Sequence, residues 1–387
     1  MFKNALCLLL CGLLIASAGC ARRREPTDGE SENATPTDTG DVAFVSELFG
    51  DDPEKNYYNY CPTVLREGDD TLHIWYCSNK MSTVVTDYVA YRKGTLHEDG
   101  KWTFTEKAFA LTPGKSGTWD ARHTCDPSVI RGAFAYGGKT YSYLMAYLGC
   151  KTNNSTANEV GLAFAEDPAG PWVKYGKNPI ADYYGSEEFD ATLWGYGQPS
   201  LVSADGAGRV LLFYTKGVPT GTFTQVELWD LSDMENPEKL QERTLSNETE
   251  AGVINNADFA YDAARGVFYC VKEDHLLPTS WYPTDGGVDW VGGNVSVWEI
   301  GTGGATATDI FGDLTFTHLA TIDCSVSGFA RNHNAGLVTD AYGRIDRTDG
   351  IAVVYTVAST ADEYPDWPEG GQWPVLHTFR LHGYVLP

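Results

Sequence analysis

The sequence predicts an all-β fold, a five-bladed β-propeller of four-stranded antiparallel blades. Three observations predict it. A short element recurs five times, at Asn59–Val64, Thr124–Val129, Tyr196–Leu201, Asn256–Tyr261 and Asn332–Leu337, in steps of 60 to 76 residues. That spacing is room for one four-stranded sheet with its loops. The runs after each copy are short, aromatic or β-branched, and bounded by Gly, Pro, Asn and Asp, the marks of strands and turns. No stretch beyond the N-terminal leader carries a convincing helical period. A pair of β-sandwiches is the alternative.

The first copy runs on through Leu72–Tyr76, Asp87–Tyr91 and Lys101–Phe104. The second continues through Tyr141–Tyr147, Val160–Phe164 and Gly170–Lys174, the third through Val210–Tyr214 and Thr224–Trp229. Gly266–Val271 and Val295–Glu299 follow the fourth copy, and Ile351–Tyr355 and His377–Leu381 the fifth. The fifth lacks an obvious fourth strand, which Val42–Val45 could supply as a latch closing the ring.

The repeat argues for one closed domain over residues 42–387. Before it, Lys3 precedes an apolar run from Ala5 to Ile15, too short to span a bilayer and read as a signal peptide over residues 1–19. Ser17-Ala18-Gly19-Cys20 resembles a lipobox, with lipid added to Cys20; Ala16-Ser17-Ala18 also fits ordinary cleavage. Of nine cysteines, six follow Cys20, an even number that favours the lipoprotein. Residues 20–41, rich in Arg, Glu, Ser, Thr and Pro, read as a flexible tether. The expectation is therefore an exported protein, secreted or held at the cell envelope by lipid alone. In an oxidising compartment Cys61 could pair with Cys77, and Cys125 with Cys150, as cross-strand disulfides; buried free thiols are the equal alternative.

The formal net charge is −24, and −25 once the leader with its single Lys3 is removed. Such a surface repels nucleic acid and fits a neutral partner, or a monomer kept dispersed. Gly-rich phosphate loops are missing from the sequence, so no nucleotide, flavin or redox cofactor is expected.

Aligned on Pro62, Pro127 and Pro199, the preceding column holds Cys61, Asp126, Gln198, Asp258 and Asn334. First strands line a propeller's channel, so this column should ring the axis. Polar groups there are costly unless they bind something. A polar pocket at one mouth follows, with carbohydrate as partner; a water-filled channel satisfying itself is the plainer alternative.

Cys125–Val129 with Glu159–Trp172 resembles blade two of the five-bladed propeller glycoside hydrolases, families 43 and 32 in style. Gly197–Leu201 with Leu212–Tyr214 is similar to the next blade, and Pro62–Val64 with Ile74–Tyr76 to the first. The likeness covers about residues 57–385. It implies carboxylates on the inner strands of the first three blades, one raised in pKa to act as acid. Asp126 matches the blade-two aspartate. Cys61 and Gln198 stand where the other two acids are expected. Replacement acids are then a pair drawn from Asp126, Asp258, Glu188 and Glu250. Asp120 at the channel mouth, His123, Gln198, Asn334 and Arg331 are expected to bind the sugar, with Trp119 and Trp194 stacking on it. His333 falls where the resemblance places a histidine near a central calcium or water, so a structural calcium is the one metal expected. Action on a poly- or oligosaccharide, with inversion, is what the resemblance implies; a non-catalytic carbohydrate-binding propeller is the alternative.

Overall fold

The computed structural model describes residues 48–49, 58–80, 86–152, 155–274, 292–329, 331–358 and 379–387. The leader, the tether, Val42–Val45 and the aromatic segment with Trp281, Tyr282 and Trp290 lie outside the described residues.

Five antiparallel sheets follow one another along the chain. Blade one holds β1 (Asn59–Glu67), β2 (Thr71–Asn79), β3 (Asp87–Leu96), β4 (Trp102–Phe104) and β5 (Ala108–Leu111), the last two both pairing with β3. Blade two is β6 (His123–Tyr136), β7 (Lys139–Cys150), β8 (Glu159–Ala165) and β9 (Val173–Lys174). Blade three is β10 (Gly195–Ser203), β11 (Arg209–Val218), β12 (Gly221–Asp230) and β13 (Glu238–Thr244). β14 (Asp258–Asp262), β15 (Val267–Asp274), β16 (Asn294–Gly301) and β17 (Thr315–Ile322) make blade four. The described part of blade five is β18 (Arg331–Thr339), β19 (Ile351–Ala358) and β20 (Arg380–Leu386). The Leu48 amide donates to Leu381 O on β20 at 2.9 Å, so the chain just after the expected latch meets the outer strand of this blade.

Apolar side chains on the blade faces meet between neighbours, and five interfaces result. Trp75 and Val89 pack on Val129 and Met145 between blades one and two. Leu144 and Phe164 face Leu212 and Tyr214 between two and three. Phe213 stacks on Phe259 at 4.1 Å between three and four. Tyr269 and Val297 meet Leu337 and Val353 between four and five. The ring closes where Ile74 and Tyr76 of blade one meet Val354 and Leu381 of blade five. Burial of this kind, near 25 cal/mol per Å² of apolar surface, is what holds the blades to each other. Closure is also made by backbone: β1 and β18 pair in parallel through Val64↔Val338 and Leu65↔Thr339.

Candidate functional site in the central funnel

Four first strands carry the same irregularity at the same place. Their register with the second strand shifts between Tyr60 and Thr63, Cys125 and Ser128, Gly197 and Ser200, and His333 and Gly336. Within each bulge one non-glycine residue takes a left-handed backbone: Cys61 (φ 51°), Asp126 (φ 46°), Gln198 (φ 49°) and Asn334 (φ 35°). A bulge re-aims a side chain, and short polar residues tolerate this conformation best. These are the column residues expected from the repeat.

Blade four corrects that alignment. Its left-handed residue is Asn256 (φ 48°), two positions before Asp258. Asn256 therefore completes the ring, and Asp258 falls level with Thr63, Ser128, Ser200 and Gly336. That second level is a girdle between blades. Thr63 Oγ1 donates to Pro127 O at 2.8 Å. Leu201 N donates to Ser128 Oγ at 2.9 Å, and Phe259 N to Ser200 Oγ at 2.9 Å. Asp258 accepts Ser200 Oγ–H at 2.7 Å on Oδ1 and Leu337 N–H at 2.8 Å on Oδ2. A Cβ on Gly336 would lie 2.2 Å from Pro62 O, so blade five meets blade one backbone to backbone. Burial pushes the Asp258 carboxyl up to about 6, against the pull of its three hydrogen bonds. Both its oxygens are spent on holding blades three, four and five together, which removes it from the expected catalytic pair.

Around Asp126 the chemistry is of another kind. The residue is 4% exposed. Its Oδ1 lies 3.0 Å from Cys125 Sγ and 3.5 Å from Cys77 Sγ, and its amide N lies 2.8 Å from Cys77 Sγ. Cys61 Sγ, Cys77 Sγ and an Asp126 carboxylate oxygen all lie within 4.8 Å of one another. Burial raises the Asp126 carboxyl to about 7; a hydrogen bond from Cys61 opposes the rise and the charge of Asp87 adds to it. A carboxyl so placed is largely protonated below neutral pH and can donate.

The disulfide here differs from both pairs expected. Cys77 on β2 is bonded to Cys125 on β6, between blades, with Cα atoms 5.1 Å apart. Cys61, Cys150 and Cys270 are free thiols. Opposite Cys77 stands Tyr60, not Cys61, and opposite Cys125 stands Leu148, not Cys150. Neither expected pair is directly opposed in its ladder, and the observed bond lies between the blades instead.

Above this floor stand two histidine–carboxylate pairs. His123 Nδ1 lies 2.7 Å from Asp87 Oδ2, and Tyr58 Oη donates to Asp87 Oδ1 at 2.9 Å. His123 is buried, and its Nε2 has no partner among the described residues. His333 Nδ1 pairs with Glu273, which also accepts from the Asn256 side chain and, at 2.9 Å, from Gly292 N. Across the axis Gln198 Nε2 donates to Asn334 Oδ1 at 3.3 Å, leaving Gln198 Oε1 buried without a partner among the described residues. Arg331 is buried at the head of β18. His333, the residue expected near a calcium or water, has its ring nitrogen Nδ1 paired with Glu273.

The remaining expected residues separate. Glu188 accepts from Tyr196 Oη at 2.8 Å and pairs with Lys216 at 2.6 Å, at the end of blade three where β10 begins. Desolvation works to raise its pKa, but Lys216 and Tyr196 prevail and hold it below the ordinary range. Trp194 is half-buried against the cluster of Tyr58, Tyr60, Leu148 and Cys61, beside the funnel. Glu250 is exposed in the loop before β14. Asp120 is not at a mouth: it is buried, paired with Lys174, and accepts from Tyr147 Oη at 3.2 Å and Thr118 Oγ1 at 2.9 Å. Trp119 lies over Gly149 and Gly161, where added Cβ atoms would come within 2.1 and 2.4 Å of its ring, so it packs on blade two rather than facing the channel. Sequence alone does not single out Asp87 or Glu273, and it marks Asn256 only as the opening residue of the fourth copy. Asp87 and Glu273 belong to third and second strands, and only the repeat's two-residue offset in blade four could have flagged Asn256.

Neither a family model nor a curated protein sequence matches the chain. Solved structures do. It is similar to a GH62 hydrolase in complex with xylotriose, at 13% identity and a TM-score of 0.53, over 89% of this chain and 97% of that one. It is similar to an alpha-L-arabinofuranosidase from Podospora anserina in complex with cellotriose, at 12% identity and a TM-score of 0.51, over 89% and 95%. The catalytic domain of a GH62 alpha-L-arabinofuranosidase from Coprinopsis cinerea gives 10% identity and a TM-score of 0.51 over 89% and 94%. The likeness is one of fold: these sheets form the five-bladed propeller that the repeat predicts.

Proposed function

We propose that the protein is a glycoside hydrolase working in the central funnel, with Asp126 as proton donor and Glu188 as its ionised partner. The observation that carries this reading is the buried Asp126 carboxyl, lifted to about 7 on a left-handed bulge within a ring of polar side chains. Glycoside cleavage needs one carboxyl that keeps its proton and one that has lost it, set apart by environment. Of the four acids expected from sequence, Asp258 is engaged in the girdle and Glu250 is exposed. Asp126 and Glu188 remain, displaced in opposite directions. Gln198, Asn334 and Asn256 would hydrogen-bond sugar hydroxyls, and Trp194 would offer a flat face. Inversion, with Glu188 activating water, is the stereochemistry proposed. Fold likeness to solved sugar hydrolases supports the substrate class.

A second reading has its own support. Cys61 and Gln198 occupy ring positions where acids are expected, which favours a carbohydrate-binding propeller without turnover. One experiment separates the two. Wild type, Asp126→Asn and Glu188→Gln are assayed on aryl α-L-arabinofuranosides, β-D-xylosides and β-D-galactosides, with oligosaccharide binding measured by calorimetry. Turnover by wild type, reduced at least about 100-fold in Asp126→Asn, is expected. Binding without turnover on any substrate gives the second reading. Export with lipid on Cys20 is likewise proposed, and labelled palmitate incorporated by wild type but not by Cys20→Ser is its test.

A further inference from the structure

Three sulfurs and one carboxyl meet at the funnel floor, and two of the sulfurs are already bonded. The disulfide joins Cys77 of blade one to Cys125 of blade two. The third sulfur, Cys61, is a free thiol within 4.8 Å of Cys77 Sγ. Asp126 Oδ1 reaches Cys125 Sγ at 3.0 Å and Cys77 Sγ at 3.5 Å, and the Tyr60 hydroxyl lies 3.0 Å from Cys125 Sγ. Cys61 follows Tyr60, the residue directly opposite Cys77, so a short approach brings its sulfur to Cys77.

We propose that Cys61, Cys77, Cys125 and Asp126 form an intramolecular thiol–disulfide exchange site, which moves the cross-link from between blades one and two to within blade one. Cys61 gives its proton to the Asp126 carboxylate, and its thiolate attacks Cys77 Sγ. The Cys61–Cys77 bond forms as the Cys77–Cys125 bond breaks. The electron pair leaves on Cys125 Sγ, which takes the proton back from Asp126. One thiol and one disulfide stand on each side, so no oxidant or reductant is needed. Exchange requires a thiolate and a leaving group that can hold charge. Burial and the nearby Asp126 charge raise the Cys61 thiol well above its usual value, so an adjacent base is needed. Asp126, near neutrality, can both take and return the proton, and the Tyr60 hydroxyl can stabilise Cys125 as it leaves.

The exchange does not rest on the sugar reading, and its test is covalent. Protein purified without reductant is held at acidic pH, where exchange stalls for want of thiolate. It is stepped to neutral pH, then acid-quenched at intervals, unfolded, alkylated and digested for mass spectrometry. Alkylation should appear at Cys125 as it falls at Cys61, with both linkages present. In Cys125→Ser, Cys61 and Cys77 should be cross-linked to each other. Asp126→Asn should slow the appearance of alkylated Cys125 by about tenfold or more. Label confined to Cys61 among the three sulfurs in wild type, or an alkylated Cys77 in Cys125→Ser, overturns the proposal.

Discussion

Asp126 shows how one residue gathers its chemistry from position. A bulge at φ 46° aims it inward, burial keeps its proton, and three sulfurs surround it. In the proposed role of general acid it must be protonated to work. With its carboxyl near 7 and Glu188 below the ordinary carboxylate range, kcat/KM should stay level through mildly acidic pH. It should then fall about tenfold for each further pH unit once pH rises past about 7. A pH–rate profile checks this; a rate that keeps rising through pH 8 would refute Asp126 as acid. Asp258 carries a raised carboxyl too, yet its partners are Ser200 and Leu337, so residue type and pKa alone do not mark a catalytic group.

Strand by strand, the first-strand bulge separates two levels: the left-handed residue lies in the polar ring, and the residue two positions on ties to the next blade. Ser200→Ala should cost about 1–3 kcal/mol by leaving Asp258 and the Phe259 amide short of a partner, measured by chemical denaturation. Gly336→Ala should destabilise by more than about 2 kcal/mol, because its Cβ meets Pro62 O at 2.2 Å where the ring closes. Stability equal to wild type in both would break the girdle account. The same geometry explains what could be read in advance. Proline after the column residue marks blades one, two and three, and those bulges fall where the sequence places them. Blade four has Ala257 there, so the repeat's pattern points to the aspartate two residues beyond the true column member, Asn256. Asp120 and Trp119 sit near the column in sequence but on the outer part of blade two, tied to Lys174 and to the glycines beneath the indole. Asp87 and Glu273 reach their histidines from neighbouring blades, a pairing that only three-dimensional closure creates.

Over the whole molecule, buried acids make stability depend on pH. Asp126, Asp258 and Glu159 all have carboxyls raised by burial, to about 7, 6 and 7. A group raised in the folded state favours folding while protonated. Its contribution is complete below the unfolded carboxylate range and is lost as pH rises through 6 and 7. Each tenfold gain in proton affinity on folding is worth about 1.4 kcal/mol. Thermal unfolding should therefore show a lower Tm at pH 8.5 than at pH 5.5. The gap should narrow in Asp126→Asn; an unchanged gap would assign it to other groups. The five blades matter to the proposed function because they bring Asp126, Gln198, Asn256 and Asn334 around one axis from positions far apart in the chain. The most direct test is a crystal structure of Asp126→Asn soaked with an oligosaccharide that the wild type binds in solution. The account predicts a sugar ring in the hollow, within hydrogen-bond distance of residue 126, Gln198 and Asn334. A sugar bound on an outer blade face, with the hollow holding only water, would contradict it.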